Sequence, residues 1–136
     1  MVGVASEQAY DPRDGMHPAR ILVVEDEPLI AMMLADMLEE LGFAIVASHT
    51  HVAPALEYLG QSDVDIALLD VNLGDEKIDP IADLLAARAR PFIFTTGYGR
   101  TGVPPIYANR PVLQKPFQIS DLETTLREQL KLRNEF

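Results

Sequence analysis

Near the middle of the chain, Asp65-Ile66-Ala67-Leu68-Leu69-Asp70 is a run of four aliphatic residues bounded by acids. It is too short for a buried helix and suits a strand covered on both faces. Asp70 then falls at the strand's carboxyl end, where open α/β sheets carry their chemistry. Three other short apolar runs have the same form. Ile21-Leu22-Val23-Val24 leads into Glu25-Asp26-Glu27, Pro91-Phe92-Ile93-Phe94-Thr95 into Thr96-Gly97, and Pro111-Val112-Leu113-Gln114 into Lys115. Carboxylates, a hydroxyl and an ammonium at four strand ends form a candidate site.

The segments between these runs read mostly as helices. Pro28 suits a first helical position, where its missing N–H leaves nothing unsatisfied. Leu29, Ile30, Met33, Leu34, Met37, Leu38 and Leu41 recur at helical spacing, and Gly42 provides the stop. Phe43 to Ala47 reads as a second strand and His51 to Leu59 as a short helix. After the loop Asn72 to Lys77, Asp79-Pro80 reads as an N-cap and a first turn. Ile81, Leu84 and Leu85 form the apolar face of the third helix, which ends near Arg88. Gly97, Gly99, Gly102, Pro104 and Pro105 leave room for about one turn around Ile106 to Asn109. The last helix opens on a capping box, Ser120-Asp121-Leu122-Glu123, with Leu122, Leu126 and Leu130 at four-residue steps.

The order βαβαβαβ(α)βα requires right-handed crossovers on both faces of a parallel sheet. The expected fold is α/β, a doubly wound five-stranded parallel sheet. Its strand order is the flavodoxin-like 2-1-3-4-5, a three-layer sandwich with a short or irregular fourth helix. In that order the ends of strands one, three, four and five converge. Residues 1–18 lack periodicity and read as a flexible leader, with one domain over 19–133 and a tail at 134–136.

A formal net charge of −10 leaves no basic stripe for nucleic acid, and no apolar run reaches bilayer length. A soluble cytoplasmic protein without nucleic-acid or membrane partners is the expectation. Cysteine is absent, so thiolate metal sites are excluded. None of the three histidines is expected to end a core strand, which disfavours zinc.

Glu25, Asp26 and Asp70 brought together would repel, by about 4 kcal/mol for a pair at about 4 Å and an effective dielectric of 20. Lys115 offsets only part of this, so the pocket should take up a proton or bind a hard dication such as Mg²⁺. A carboxylate, a dication, a lysine and a hydroxyl are suited to phosphoryl transfer. Asp70 would be the nucleophile that becomes an acyl phosphate. The metal and Lys115 would neutralise the equatorial oxygens, and Thr96 would donate a hydrogen bond to one of them.

These residues resemble a response-regulator receiver domain of two-component signalling over about residues 19–132. Glu25-Asp26, Asp70, Thr96 and Lys115-Pro116-Phe117 match its motifs in order. The resemblance implies Mg²⁺ held directly by Asp26, Asp70 and the backbone carbonyl of Asn72, with Glu25 helping through water. It also allows a cis peptide at Lys115-Pro116. A sensor histidine kinase or a histidine phosphotransfer protein would supply the phosphoryl group to Asp70. With no room for an output domain after residue 133, the signal is expected to pass to a downstream protein or along a phosphorelay. Phe94-Thr95-Thr96-Gly97-Tyr98-Gly99 further resembles a subgroup with a Phe-Ala-Thr-Gly-Tyr signature, often stand-alone receivers of α-proteobacteria. The protein would assist its own phosphorylation and dephosphorylation without being an enzyme in the usual sense.

The chain departs from the family pattern at Val112, three residues before Lys115, where receivers usually carry an aromatic. The usual threonine–aromatic switch cannot operate as such. Ordering of the 97–110 loop, with Tyr98 as the moving aromatic, is the expected substitute. Three other readings stay open. A degenerate receiver would act by binding alone. A Mg²⁺-dependent aspartyl-phosphate phosphatase of the haloacid-dehalogenase type would need an acid where Asn72 stands. A flavodoxin-like nucleotide site would need a glycine-rich phosphate loop, and none is present. Asp70 could also be an ordinary strand-end cap, and Glu25 to Glu27 could simply favour a helix N-terminus. His49 and His51 read as surface or capping residues, and Arg88 and Arg90 as complements to the dipole of their own helix.

Overall fold

A computed structural model describes residues 18–134 of the chain, with side chains as far as 131. Apart from Pro18 and the backbone at 134, the expected leader and tail lie outside the described residues. The strands are β1 (Arg20–Val24), β2 (Ala44–His49), β3 (Ile66–Asp70), β4 (Phe92–Thr96) and β5 (Val112–Gln114). They form one parallel sheet in the order β2-β1-β3-β4-β5, as the sequence predicts. The helices are α1 (Pro28–Glu40), α2 (Val52–Gln61), α3 (Asp79–Ala87) and α4 (Ile119–Asn134). Between β4 and β5 the chain makes only a 3₁₀ turn, Pro105–Tyr107. The prolines and glycines there leave no longer helix.

Alternation along the strands divides the core in two. Leu22, Val24, Ala67, Leu69, Phe92 and Phe94 point to one face and pack with Ala55 and Leu59 of α2 and Ile81, Ala82 and Leu85 of α3. Ile21, Val23, Ile66, Leu68, Ile93 and Leu113 point to the other, against Leu34 and Leu38 of α1 and Leu122 and Leu126 of α4. β3 is buried at every position, since strands flank it and helices cover both faces. Phe92 is fully buried, edge-on to Phe94 and Tyr107 at 5.4 and 5.2 Å. Truncating it to alanine would cost about 3–5 kcal/mol.

Several local expectations are corrected. β2 runs past Ala47 and ends on His49, whose ring lies 6.1 Å from that of Tyr58. A histidine thus does end a strand, but on the sheet's edge and outside the carboxylate group that could hold a metal. Asp79 is the first residue of α3, with Ile78 at the cap position and no side-chain cap bond. Ser120 lies inside α4, and Gln118 O receives the first amides, from Asp121 and Leu122. Glu123 pairs with Arg127. Leu29, placed on the apolar stripe by spacing, is 80% exposed.

The arginines act across helices. Arg88 donates to the carbonyls of Leu59 (2.6 Å) and Ser62 (3.3 Å), the end of α2 rather than of its own helix. Arg90 pairs with Asp63. Burial alone would raise the Asp63 carboxyl, but the Arg90 contact outweighs it and the net shift is downward.

Candidate functional site

The carboxyl ends of β1, β3, β4 and β5 meet at one edge of the sheet. Val24 pairs with Leu69, Asp70 with Thr95, and Thr96 with Gln114, so the residues that follow arrive side by side. The amide of Glu25 still donates to His49 O at 3.0 Å, and that of Lys115 to Thr96 O at 2.7 Å. Backbone pairing therefore carries Glu25 and Lys115 into the site as extensions of their strands. Lys115-Pro116 is cis.

Glu25, Asp26 and Asp70 each offer a carboxylate oxygen, all within 4.8 Å of one another. Asp70 is fully buried and Glu25 nearly so. Lys115 Nζ donates to Glu25 Oε1 at 3.1 Å and stands 3.4 Å from Asp70 Oδ1. Glu25 Oε2 accepts from the Glu27 amide at 3.0 Å, and Asp70 Oδ1 from the Asn72 amide at 2.8 Å. Asp70 Oδ2 is buried with no hydrogen-bond partner. A buried oxygen left bare is costly unless something else satisfies it.

Burial, reinforced by the neighbouring Asp70, pushes the Glu25 carboxyl up to about 7. Burial works against the Lys115 ammonium, but its hydrogen bond to Glu25 and the charges of Asp70 and Glu25 outweigh this and raise its pKa. Three carboxylates thus face one ammonium, which leaves the pocket short of positive charge. An all-oxygen donor set with one unsatisfied oxygen suits a hard dication, and Mg²⁺ needs few protein ligands of this kind.

Thr96 is buried at the end of β4. Its hydroxyl donates to Asn72 Oδ1 at 3.2 Å and accepts from the Tyr98 amide at 3.0 Å. Asn72 Oδ1 also accepts from the Gly97 amide at 3.3 Å. Tyr98 is 74% exposed, and Val112 packs against the core beside Phe94. All the residues singled out from the sequence, Glu25, Asp26, Asp70, Asn72, Thr96 and Lys115, thus lie along this edge.

Sequence reasoning missed the Asn72 carboxamide, having assigned that residue a backbone role only. Its position two residues after Asp70 was the available signal. Glu76 was also missed. Its carboxylate accepts from the Val52 amide at 2.8 Å and contacts His51 Nδ1 at 2.6 Å, capping α2 from a distant loop. Nothing local to residue 76 signals such a contact.

The response regulator receiver domain family matches residues 21–127. Among solved structures, SdrG from Sphingomonas melonis Fr1 is 47% identical with a TM-score of 0.75, covering 83% of this chain and 97% of its own. SdrG has also been solved in a BeF3-activated conformation, which is 46% identical with a TM-score of 0.72. The transcriptional regulatory protein PdtaR of Mycobacterium tuberculosis is 32% identical over 113 residues, 80% of this chain and 55% of PdtaR. The phyllosphere-induced regulator PhyR of Methylorubrum extorquens is 33% identical over 116 residues, 81% of this chain and 43% of PhyR. The chain spans about half the length of these two curated relatives. The narrower resemblance through Phe94 to Gly99 is borne out by the likeness to SdrG and PhyR. By fold, strand-end chemistry and match, the chain belongs to the response regulator receiver domain family of two-component systems.

Proposed function

We propose that Asp70 accepts a phosphoryl group from a phosphohistidine of a sensor kinase or phosphotransfer protein, and that a downstream protein reads the modified state. The observation that carries this reading is the buried Asp70 carboxylate, whose Oδ1 stands 3.4 Å from the Lys115 ammonium while its Oδ2 has no hydrogen-bond partner. Family membership and the likeness to SdrG, which adopts a BeF3-activated conformation, support it. We read residues 19–133 as the receiver unit, working in the cytoplasm. Among the described residues, no helix is long and apolar enough to cross a membrane.

In the transfer, an Asp70 carboxylate oxygen attacks phosphorus, a P–O bond forms as the donor's P–N bond breaks, and the departing imidazole takes up a proton. Receiver domains bind Mg²⁺ at an acidic pocket. Here Asp26, Asp70 and the Asn72 carbonyl would hold it, with Glu25 acting through water. When bound, Mg²⁺ supplies countercharge to the phosphoryl oxygens. Lys115, held by Glu25 at the mouth of Asp70, adds a second countercharge on the chain itself. Thr96 supplies a hydroxyl proton to one equatorial oxygen.

The test is incubation with acetyl phosphate, with and without Mg²⁺. A Mg²⁺-dependent mass gain of one phosphoryl group, mapped to Asp70 and absent in Asp70→Asn, is the expected result. Acid-labile phosphate on Asp70→Asn would sink the assignment. Failure to gain mass, together with no response to beryllofluoride, would favour a receiver that signals by binding alone.

A further inference from the structure

One atom holds two donors at the end of β4. Asn72 Oδ1 accepts from the Thr96 hydroxyl at 3.2 Å and the Gly97 amide at 3.3 Å. At its other end Asn72 is tied to the phosphoacceptor, since its own amide donates to Asp70 Oδ1 at 2.8 Å. A single residue thus grips Asp70 with its backbone and the start of the 97–110 loop with its side chain.

A hydroxyl has one proton to donate. In this arrangement the Thr96 proton is committed to Asn72, and Thr96 has no exposed surface through which water could substitute. A phosphoryl oxygen on Asp70 would need the same proton. Binding Asn72 and binding the phosphoryl group are therefore mutually exclusive for Thr96.

We infer that the Asn72 side chain is a positioning residue, a latch that holds Thr96 and Gly97 in the resting arrangement and competes with the phosphoryl group for them. The inference rests on the phosphoacceptor reading and deepens it. A ligand that binds only the unlatched form has its apparent affinity reduced by the fraction of molecules that are unlatched. Both bonds are long for their type, so the latch is weak and a moderate effect follows.

The experiment measures beryllofluoride affinity in the presence of Mg²⁺ for the intact chain, Asn72→Ala and Asn72→Leu, each with and without Thr96→Ala. Leucine keeps the branched outline of asparagine with bulkier ends and accepts no hydrogen bond, whereas alanine also opens space. Both keep the backbone carbonyl at 72. Both variants are expected to bind about threefold to tenfold tighter than the intact chain. Most of that gain should vanish in the Thr96→Ala background, where there is no hydroxyl to release. A merely structural asparagine would instead weaken binding when removed. Tightening by alanine alone would mean an effect of space, and an undiminished gain without the Thr96 hydroxyl would mean another route. Either result, or no gain at all, overturns the latch. If the intact chain itself fails to bind beryllofluoride, the phosphoacceptor reading falls first and the latch falls with it.

Discussion

Lys115 Nζ lies 3.1 Å from Glu25 Oε1, joining two residues 90 positions apart. Their side chains are 8% and 1% exposed. The same ammonium reaches Asp70 at 3.4 Å, so one cation serves two carboxylates while Asp26 adds a third. Such a pair is not primarily a stabilising device, because desolvating the charges offsets much of their attraction. Its consequence is a site left short of positive charge, which Glu25 answers by holding a proton up to about pH 7.

That proton makes metal-free stability depend on pH in the direction opposite to an ordinary carboxylate. The Glu25 carboxyl rises from 4.5 to about 7 on folding, so the folded chain binds the proton more tightly between those values. The contribution is fully present below about pH 4.5 and is lost as pH rises through about 7. At about 1.4 kcal/mol per pH unit, it amounts to roughly 3 kcal/mol. Urea denaturation from pH 5 to 8 should show the intact chain losing stability relative to Glu25→Gln, and excess Mg²⁺ should reduce the slope. Parallel profiles for the two proteins would refute the assignment.

Asp26→Asn removes one of three clustered carboxylates. Without metal the variant should be more stable than the intact chain by about 1 kcal/mol, because like-charge repulsion is relieved. With millimolar Mg²⁺ the order should reverse, since a ligand that binds the folded state stabilises it according to its affinity. Thermal unfolding with and without Mg²⁺ checks both halves. A variant that kept the full Mg²⁺-dependent rise in Tm would remove Asp26 from the ligand set.

The sheet order and the convergence of the strand ends were legible because they rest on burial. An apolar run such as Ile66 to Leu69 has little choice but a central strand. The polar group ending each run shows only at the edge where the runs align. Contacts between side chains distant in sequence were not legible. Glu76 caps α2 across 24 residues, Arg88 reaches the end of a different helix, and Asn72 grips Thr96. Local capping rules misplaced the starts of α3 and α4 because propensity at Asp79 and Ser120 is weaker than the packing that sets each helix. β2 outran its apolar signal because pairing with β1 as far as Val24 carries it on to His49.

The 97–110 connection should respond to phosphorylation unevenly. Its far end is anchored, since the Tyr107 hydroxyl donates to Asp83 on α3 and the ring lies against Phe92 and Phe94. Arg110 stacks over Phe92 at 4.3 Å. Its near end hangs on the Thr96 and Asn72 bonds, with Tyr98 exposed. Amide exchange measured with and without beryllofluoride should therefore change at residues 97–103 and hold steady at 106–110. Unchanged exchange throughout would rule out this loop as the conformational signal.

Two helices end in the same way on different residues. In α1 the Phe43 amide donates to Leu38 O and the Gly42 amide to Glu39 O, with Gly42 at φ +86°. In α3 the Arg90 amide donates to Leu85 O and the Ala89 amide to Ala86 O, with Ala89 at φ +57°. Both are the paired closing bonds of a helix that finishes in a left-handed residue. Glycine takes that conformation freely, whereas alanine's Cβ crowds the backbone at a cost of about 1 kcal/mol. Ala89→Gly should therefore raise the stability of the metal-free chain by about 0.5–1 kcal/mol, the relief of strain outweighing the extra freedom glycine gives the unfolded chain. Gly42→Ala should lower it by about 1 kcal/mol or more. Both sites lie at helix ends away from the acidic edge, so Mg²⁺ affinity should stay constant while urea midpoints move in opposite directions. A destabilising Ala89→Gly would mean that strain at this turn is smaller than the entropy glycine adds.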